Sequence, residues 1–346
     1  MNEPNNTDPS EALTPRATRR KFMNAKRGTV KDSSLRAYKF PTKDFVEFCE
    51  DQGVESIGEV DNYLIESWIQ KREAENIKPI TVNNNVRFLR VFIKYCENAG
   101  LLDGGTYDRI RLPDVPDEER SSDKTLLAHQ ANSILDHLST YEYATRKHAA
   151  FALIWETGCR VSGAMSLDLE GVTSDRQGDP ALRFSNRKGT GTPLKNGDKS
   201  NRLIQLSETL QGILNDYIEV HRNDVTDDYD RKPLFTTPAG RVSRQVLYKD
   251  TVAITRPCVY SGRCPAGREI ETCEPAQRKK SAMSCPENVS LHPIRRGSIT
   301  HHINEGWEKE ILSERVDVSV EVLENHYDAR TEEDELQRRK KHKRLL

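Results

Sequence analysis

The stretch Leu291-His292-Pro293-Ile294-Arg295-Arg296 sets an imidazole and a guanidinium three positions apart at a helix start, so they share one face. Pro293 suits the first turn of such a helix. A second arginine, Arg160, lies far upstream in Glu156-Thr157-Gly158-Cys159-Arg160-Val161-Ser162-Gly163, and Tyr327 follows in Asn325-His326-Tyr327-Asp328. Two arginines, a histidine and a tyrosine suit a phosphodiester. Planar guanidinium forks hold the non-bridging oxygens, and a phenol activated by nearby cations attacks phosphorus. Each residue also has a plain structural reading. Arg160 could cap a helix end, His292 and Arg295 could line a polar surface, and Tyr327 could be a buried aromatic with one wet edge.

Composition narrows the field around that set. The 346 residues include 31% charged ones, with a formal net charge of -1 and a mean hydropathy of -0.76. Two to three domains are expected at roughly 100–200 residues each. The longest apolar run, Ala149 to Trp155, is far too short for a membrane span. No signal-peptide core opens the chain, so a cytoplasmic protein is expected. A near-neutral total excludes the simple argument from a basic protein to nucleic acid, but it can hide local basic regions. These are an arm around Arg16-Ala17-Thr18-Arg19-Arg20-Lys21 and a tail, Arg338-Arg339-Lys340-Lys341-His342-Lys343-Arg344, behind the acids Glu332 to Glu335. Either is a solvated end when alone and a phosphate contact beside a phosphate-active centre.

Periodicity divides the chain. Residues 1–30 read as a disordered basic arm. Residues 31–102 read as a small all-helical domain, with Pro41 expected to break or kink its first helix. Residues 103–124 form a linker rich in Gly, Pro and charge. Residues 125–330 form a larger α+β domain, and 331–346 a charged tail. In the larger domain helices are expected at Leu126–Leu138, Tyr143–Glu156, Val161–Leu167, Glu208–Val220, Ser243–Thr255, Arg295–Glu305, Glu308–Ser313 and Val320–Tyr327. Two short strands, Ala181–Ser185 and Arg202–Leu206, flank a long hairpin connection marked by Asn196-Gly197. The fold class is mainly α with a small β-hairpin or sheet.

Cys49, Cys96 and Cys159 sit in apolar helical contexts and read as core residues. Cys258, Cys264, Cys273 and Cys285 are different. They fall within 28 residues, spaced C-x5-C-x8-C-x11-C, in an insertion over 256–288. Grouped thiols in a loop rich in Pro and Gly suit a closed, structural zinc site with no open coordination position, as against free thiols or disulfides.

The ordered set of boxes resembles the tyrosine recombinase (phage integrase) family over about residues 33–346. Thr157-Gly158-Cys159-Arg160-Val161-Ser162-Gly163, continued by Leu167, is similar to the family's first arginine box. His292-Pro293-Ile294-Arg295, continued through Thr300-His301-His302 to Gly306, is similar to its second, and Tyr327 stands where the nucleophile belongs. The helical domain resembles the family's core-binding domain. The resemblance implies two domains on duplex DNA, attack by Tyr327 to give a 3′-phosphotyrosine, and Arg160 and Arg295 on the phosphoryl oxygens. His292 would assist with the proton or the phosphate, and a hairpin lysine would serve as general acid. Lys188, in Arg187-Lys188-Gly189, matches the usual pattern, and Lys195 competes because the connection is long. No cofactor or catalytic metal is required. Four protomers on two recombination sites are implied, with Leu336 to Leu346 docking on a neighbour.

One position departs from the family pattern. Val318 occupies a slot that usually holds histidine or tryptophan, unless a local shift brings Arg315 or Asp317 there. Three other readings stand beside recombination: an integrase homologue that binds DNA without cutting it, a related transposase or topoisomerase-like enzyme, and a zinc-stabilised DNA-binding regulator.

Overall fold

Two apolar side chains settle how the described chain begins. Thr14 accepts the Ala17 N–H, Pro15 opens the first turn, and Phe22 and Met23 are buried on the inner face. Phe22 lies edge-on to Phe92 with ring centroids 5.3 Å apart. Pro15–Lys26 is therefore helix α1, which corrects, over those residues, the disordered arm expected over 1–30. Its many cations gave a disordered composition, but a cap and two buried side chains are enough to dock a short helix.

The computed structural model describes residues 13–116 and 124–327. Residues 1–12, part of the linker, and the tail with its basic run Arg338–Arg344 and its docking segment Leu336–Leu346 lie outside the described residues. The chain divides into two units, Met1–Asp123 and Lys124–Leu346.

In the first unit α1 joins helices α2 (Asp32–Asp51), α3 (Asn62–Ala74) and α4 (Pro79–Asn98) around a core that includes Phe45, Trp68, Leu89 and Phe92. Pro41 lies inside α2 and does not break it, so of the expected break or kink the break is absent. Carbonyls near the proline find side-chain donors: the Thr42 hydroxyl donates to Tyr38 O at 2.6 Å and Arg19 Nη2 to Lys39 O at 2.9 Å. The first half of the expected linker also belongs to this unit. Ile110 and Val115 are buried, and Asn83 Nδ2 donates to Pro113 O at 2.7 Å.

The second unit is built on α5 (Ala128–Tyr141), α6 (Arg146–Thr157) and α7 (Val161–Ser166). A three-stranded antiparallel sheet follows, ordered β1 (Val172–Ser174), β2 (Pro180–Phe184), β3 (Arg202–Gln205). Leu182 pairs with Val172 on one side and Ile204 on the other. Strand β1 was not expected, because three residues are too few to show alternation. Then come α8 (Glu208–Asp216), which passes into a π-turn over Tyr217–His221, a two-stranded ribbon at 236–241, and α9 (Arg244–Ile254). Helices α10 (Leu291–Asn304), α11 (Lys309–Val316) and α12 (Val320–His326) close the unit. The architecture is mainly α with small antiparallel sheets, as the sequence implied.

Helix α6 is the spine. Ala149, Phe151, Leu153 and Ile154 are all buried, so the run that is apolar on every side is an interior helix. Helix α10 packs along it, and a Cβ on Gly297 would press within 3.1 Å of Trp155 on α6 and overlap the Leu126 carbonyl just ahead of α5. Both helices start one turn away from where sequence periodicity put them, with α10 beginning at Leu291 rather than Arg295.

Truncating Phe22→Ala should cost the first unit about 3–5 kcal/mol, the usual loss for a buried aromatic. Denaturant unfolding of the full chain checks this. A change within about 0.5 kcal/mol, typical of a surface substitution, would mean that α1 is not docked.

Candidate functional site

Arg295 is one turn into α10 and only 3% exposed. Its guanidinium donates from Nη1 to Gly158 O at 2.5 Å and from Nη2 to Val316 O at 2.8 Å. Burial, reinforced by the nearby charge of Arg160, pulls its pKa down to about 10, and hydrogen bonding with the Tyr327 side chain pushes the other way. The group stays cationic at neutral pH. It is a buried positive charge held by two carbonyls and a phenol, and it attracts an anion.

Gly158 makes the first of those contacts possible. It ends α6 in the left-handed region at φ 58°, with its N–H bonded to Ile154 O at 3.0 Å. A Cβ there would come within 2.9 Å of Val316 Cγ1. Only glycine lets the chain turn this tightly beside α11 and still offer its carbonyl to Arg295.

Arg160 follows two residues later and caps α7. Its Nη1 meets Asp317 Oδ2 at 2.5 Å. Asp317 sits in the left-handed region at φ 55°, which an aspartate tolerates better than most residues. It also accepts from Asn196 Nδ2 at 2.9 Å and from the Ser200 hydroxyl at 2.8 Å. Neighbouring Val318 is buried in an apolar cluster with Ile299, Ile303, Leu312, Val316, Leu323 and Tyr327. Of the alternatives for that slot, Val318 is thus a core residue, and Asp317 is the side chain that reaches Arg160. Arg315 turns elsewhere, donating to Gln205 O and Glu156 O.

Tyr327 is 7% exposed, the last residue of the same cluster, and its side chain reaches Arg295. His292 precedes Arg295 on α10 and is exposed at the residue level. Partial desolvation of its ring, then the charges of Arg295, Arg296, Arg160 and Lys195, lowers its pKa below the ordinary value. That list separates the two hairpin lysines. Lys195 is close enough to act on the His292 ring, and its neighbour Asn196 is tied to Asp317. Lys188 is exposed in a loop anchored on the other side. There Arg187 pairs with Asp168 at 2.8 Å, and Arg231 Nη2 donates to Thr190 O at 2.7 Å. The structure thus brings Arg160, His292, Arg295, Tyr327 and Lys195 together and leaves Lys188 apart.

Sequence reasoning missed Asn196, Ser200 and Arg202. Arg202 is largely buried, which lowers its pKa, and it lies over the Phe184 ring at 4.2 Å while donating to Arg315 O at 2.9 Å. Nothing in a strand-start arginine or a loop serine signals such a role. His301 and His302 are packing residues: His301 stacks on Trp155 and His302 Nδ1 meets Ser298 O at 2.7 Å. Cys49, Cys96 and Cys159 are buried, and burial raises the first two thiols to about 12. Among the described residues no three His, Cys, Asp or Glu side chains stand at metal-ligand spacing. Nor is any described helix long and apolar enough to cross a membrane.

With this geometry in hand, comparison with known proteins gives one consistent answer. No family model matches the chain. In sequence it is similar to tyrosine recombinase XerC of Rickettsia bellii (strain OSU 85-389), 21% identical over 290 residues, 81% of this chain and 81% of that protein. It is also similar to XerC of Rhodospirillum centenum, 25% identical over 144 residues, 39% of this chain and 41% of that one. In structure it resembles the Tn1549 transposon integrase in complex with a circular intermediate DNA. The TM-score is 0.64 at 18% identity, over 96% of this chain and 100% of that chain. It also resembles the XerH site-specific recombinase bound to a palindromic difH substrate in a post-cleavage complex. There the TM-score is 0.61 at 15% identity, over 91% of this chain and 82% of that chain. The chain has the fold of the tyrosine recombinases.

Two outcomes follow. His148, His292 and His302 all have lowered pKa values, burial being the first cause in each. The unfolded chain therefore binds protons more readily than the folded one as pH falls through about 6.5. Stability should be full above that pH and decline towards about pH 5, seen as a falling Tm in a buffer series; a Tm flat over that range would contradict it. Separately, Asp317→Ala should cost about 1–3 kcal/mol, because it strips partners from Arg160, Asn196 and Ser200. Hydrogen exchange should then speed up across 195–201, and unchanged protection there would refute the tie.

Proposed function

We propose that the protein is a site-specific DNA recombinase that cuts and rejoins strands through a 3′-phosphotyrosine. The observation that carries this is the convergence on Arg295 of the first box, through Gly158 O, and of Tyr327. In the proposed reaction Tyr327 Oη bonds to phosphorus, the bond from phosphorus to the 5′-oxygen breaks, and the leaving oxygen takes a proton from Lys195. Arg160 and Arg295 offset the charge that builds on the non-bridging oxygens, usually the largest electrostatic contribution in such a step. His292, neutral before substrate arrives, accepts the phenol proton and, once charged, can also hold a phosphoryl oxygen. Reversal by a 5′-hydroxyl from another strand releases Tyr327. The phosphotyrosine keeps the bond energy, so nothing else need drive the reaction. Both solved neighbours are named as complexes with DNA, which supports double-stranded DNA carrying recombination sites as the partner. Resemblance supports four protomers at work on two such sites, in integration, excision or dimer resolution.

A second reading keeps DNA binding without cleavage. Asp317 favours it, since its carboxylate sits on the Arg160 face that a phosphate would use. Cleavage requires this pair to part or to shift sideways.

A nicked suicide duplex distinguishes the two. Capture from fragmented genomic DNA supplies the site, and a denaturant-stable adduct reports attack. Wild type should form the adduct and Tyr327→Phe should not; an adduct that survives Tyr327→Phe would remove the nucleophile assignment. Lys195→Ala should slow cleavage about 10²–10⁴-fold, the range of general acid catalysis, and a 5′-thio leaving group should restore the rate. Lys188→Ala should cleave at close to the wild-type rate. The opposite ranking would reassign the acid, and no adduct on any captured site would favour the binding-only reading.

A further inference from the structure

Between α9 and α10 the chain makes an excursion over residues 256–288 that the proposed reaction does not use. Its neck is closed by one side chain: the Thr255 hydroxyl donates to Val289 O at 2.8 Å and accepts the Val289 N–H at 3.1 Å. Beyond that neck the only buried residues are Arg256, Pro257, Pro275 and Ala282. Three small apolar side chains cannot offset the entropy of ordering about thirty residues. Helical turns of four to six residues make up its regular structure. Something other than an apolar core must hold it.

All four cysteines of the excursion line a single cavity of about 20 Å³, otherwise walled largely by proline and alanine. Cys258 is near enough to Cys273 and Cys285 for their charges to act on it. None of the four is in a disulfide, and all are half-buried. Three begin a tight turn with the carbonyl of the cysteine as acceptor. Gly267 N donates to Cys264 O at 3.0 Å, Ala276 N to Cys273 O at 2.9 Å, and Asn288 N to Cys285 O at 3.4 Å. Gly267, at φ 64°, permits the first of these. Such turns leave backbone N–H groups available to hydrogen-bond a thiolate, the outer support a metal-bound sulfur needs. Arg256 is buried and Arg268 lines the cavity, which suits the negative charge of four thiolates around a divalent ion.

We infer that Cys258, Cys264, Cys273 and Cys285 bind one zinc ion in a closed tetrahedral site that folds the excursion. The cavity has room for about one ion or one water. The thiols stand around it wider than metal-ligand spacing, so binding draws them inward and releases their protons. Four sulfur ligands leave no position for substrate, which makes the site structural. Its mechanical target is the approach to α10. Lys124 Nζ donates to Pro286 O at 2.6 Å and to Asn288 O at 2.9 Å, beside Cys285. Leu126 N donates to Pro293 O at 3.2 Å, next to His292. The metal would thus hold the stretch that leads directly into the second box.

Full-length protein purified without added metal tests this independently of any DNA reaction. Elemental analysis should find about one zinc per chain, as a single four-coordinate site requires. Mercurial titration should release it. Cobalt exchanged for zinc should show the visible bands of tetrahedral thiolate coordination. Cys264→Ser and Cys273→Ser should lose most of the zinc, whereas Cys96→Ala, a change in the other unit, should retain it. Should the serine variants not fold, wild type still decides through its metal content and through chelation, which should speed proteolytic cleavage inside 256–288 at least about tenfold by releasing the fold that zinc holds. Protein lacking metal, protein carrying iron, or two disulfides among these cysteines by non-reducing mass mapping would each overturn the inference.

Discussion

The buried guanidinium of Arg295 fixes the geometry of the second unit. One end of its fork is bound to the last turn of α6, through Gly158 O, and the other to the end of α11, through Val316 O. Moving a charge of that size out of water costs several kcal/mol, so the interaction persists only where the partners leave no freedom. Three segments far apart in sequence are aligned by that demand. The glycine at φ 58° and the apolar cluster under Tyr327 then read as conditions for meeting it. The residue proposed to hold the phosphate is also the residue that assembles the site around it.

The same economy explains the departure at 317–318. A side chain in the slot of Val318 cannot both fill the apolar cluster and reach Arg160. Here the two tasks are divided between adjacent residues: Val318 packs, and Asp317, turned by its left-handed backbone, reaches across. Because Asp317 also accepts from Asn196 and Ser200, the loop carrying Lys195 is coupled to Arg160.

What could be read from sequence tracks how local the cause is. Helices with clean apolar stripes and the strands around 181–205 were legible because short-range spacing determines them, whereas the set of two arginine boxes and a downstream tyrosine was read from resemblance to a family. Helix α1 was not legible, since Phe22 and Met23 are its only large apolar residues and seven cations and polar groups around them leave no visible period. The choice between Lys188 and Lys195 was also hidden. It depends on contacts that tie one limb of the hairpin down, Arg187 to Asp168 and Thr190 to Arg231, between residues 19 and 41 positions apart. Asp317 was visible only as one of several candidates for a misfitting slot, because its function depends on a backbone angle.

Electrostatics connects these local details to chemistry. Arg160 and Arg295 are near enough to lower the proton affinity of Arg295, and Lys195 and Arg296 add to the field that lowers that of His292. Assembling so many cations is unfavourable in the free protein, and Asp317 relieves only the Arg160 end. A phosphodiester carries one negative charge in the ground state and accumulates more on its oxygens as a nucleophile adds. In the proposed reaction the field left uncompensated by Asp317 would stabilise the transition state more than the substrate, the differential that accelerates a reaction. Placing a carboxylate on one arginine and none on the other keeps the pocket foldable without neutralising it. In the proposed reaction, the partial pairing of Arg160 would suit a site that holds phosphate while a bond to phosphorus changes.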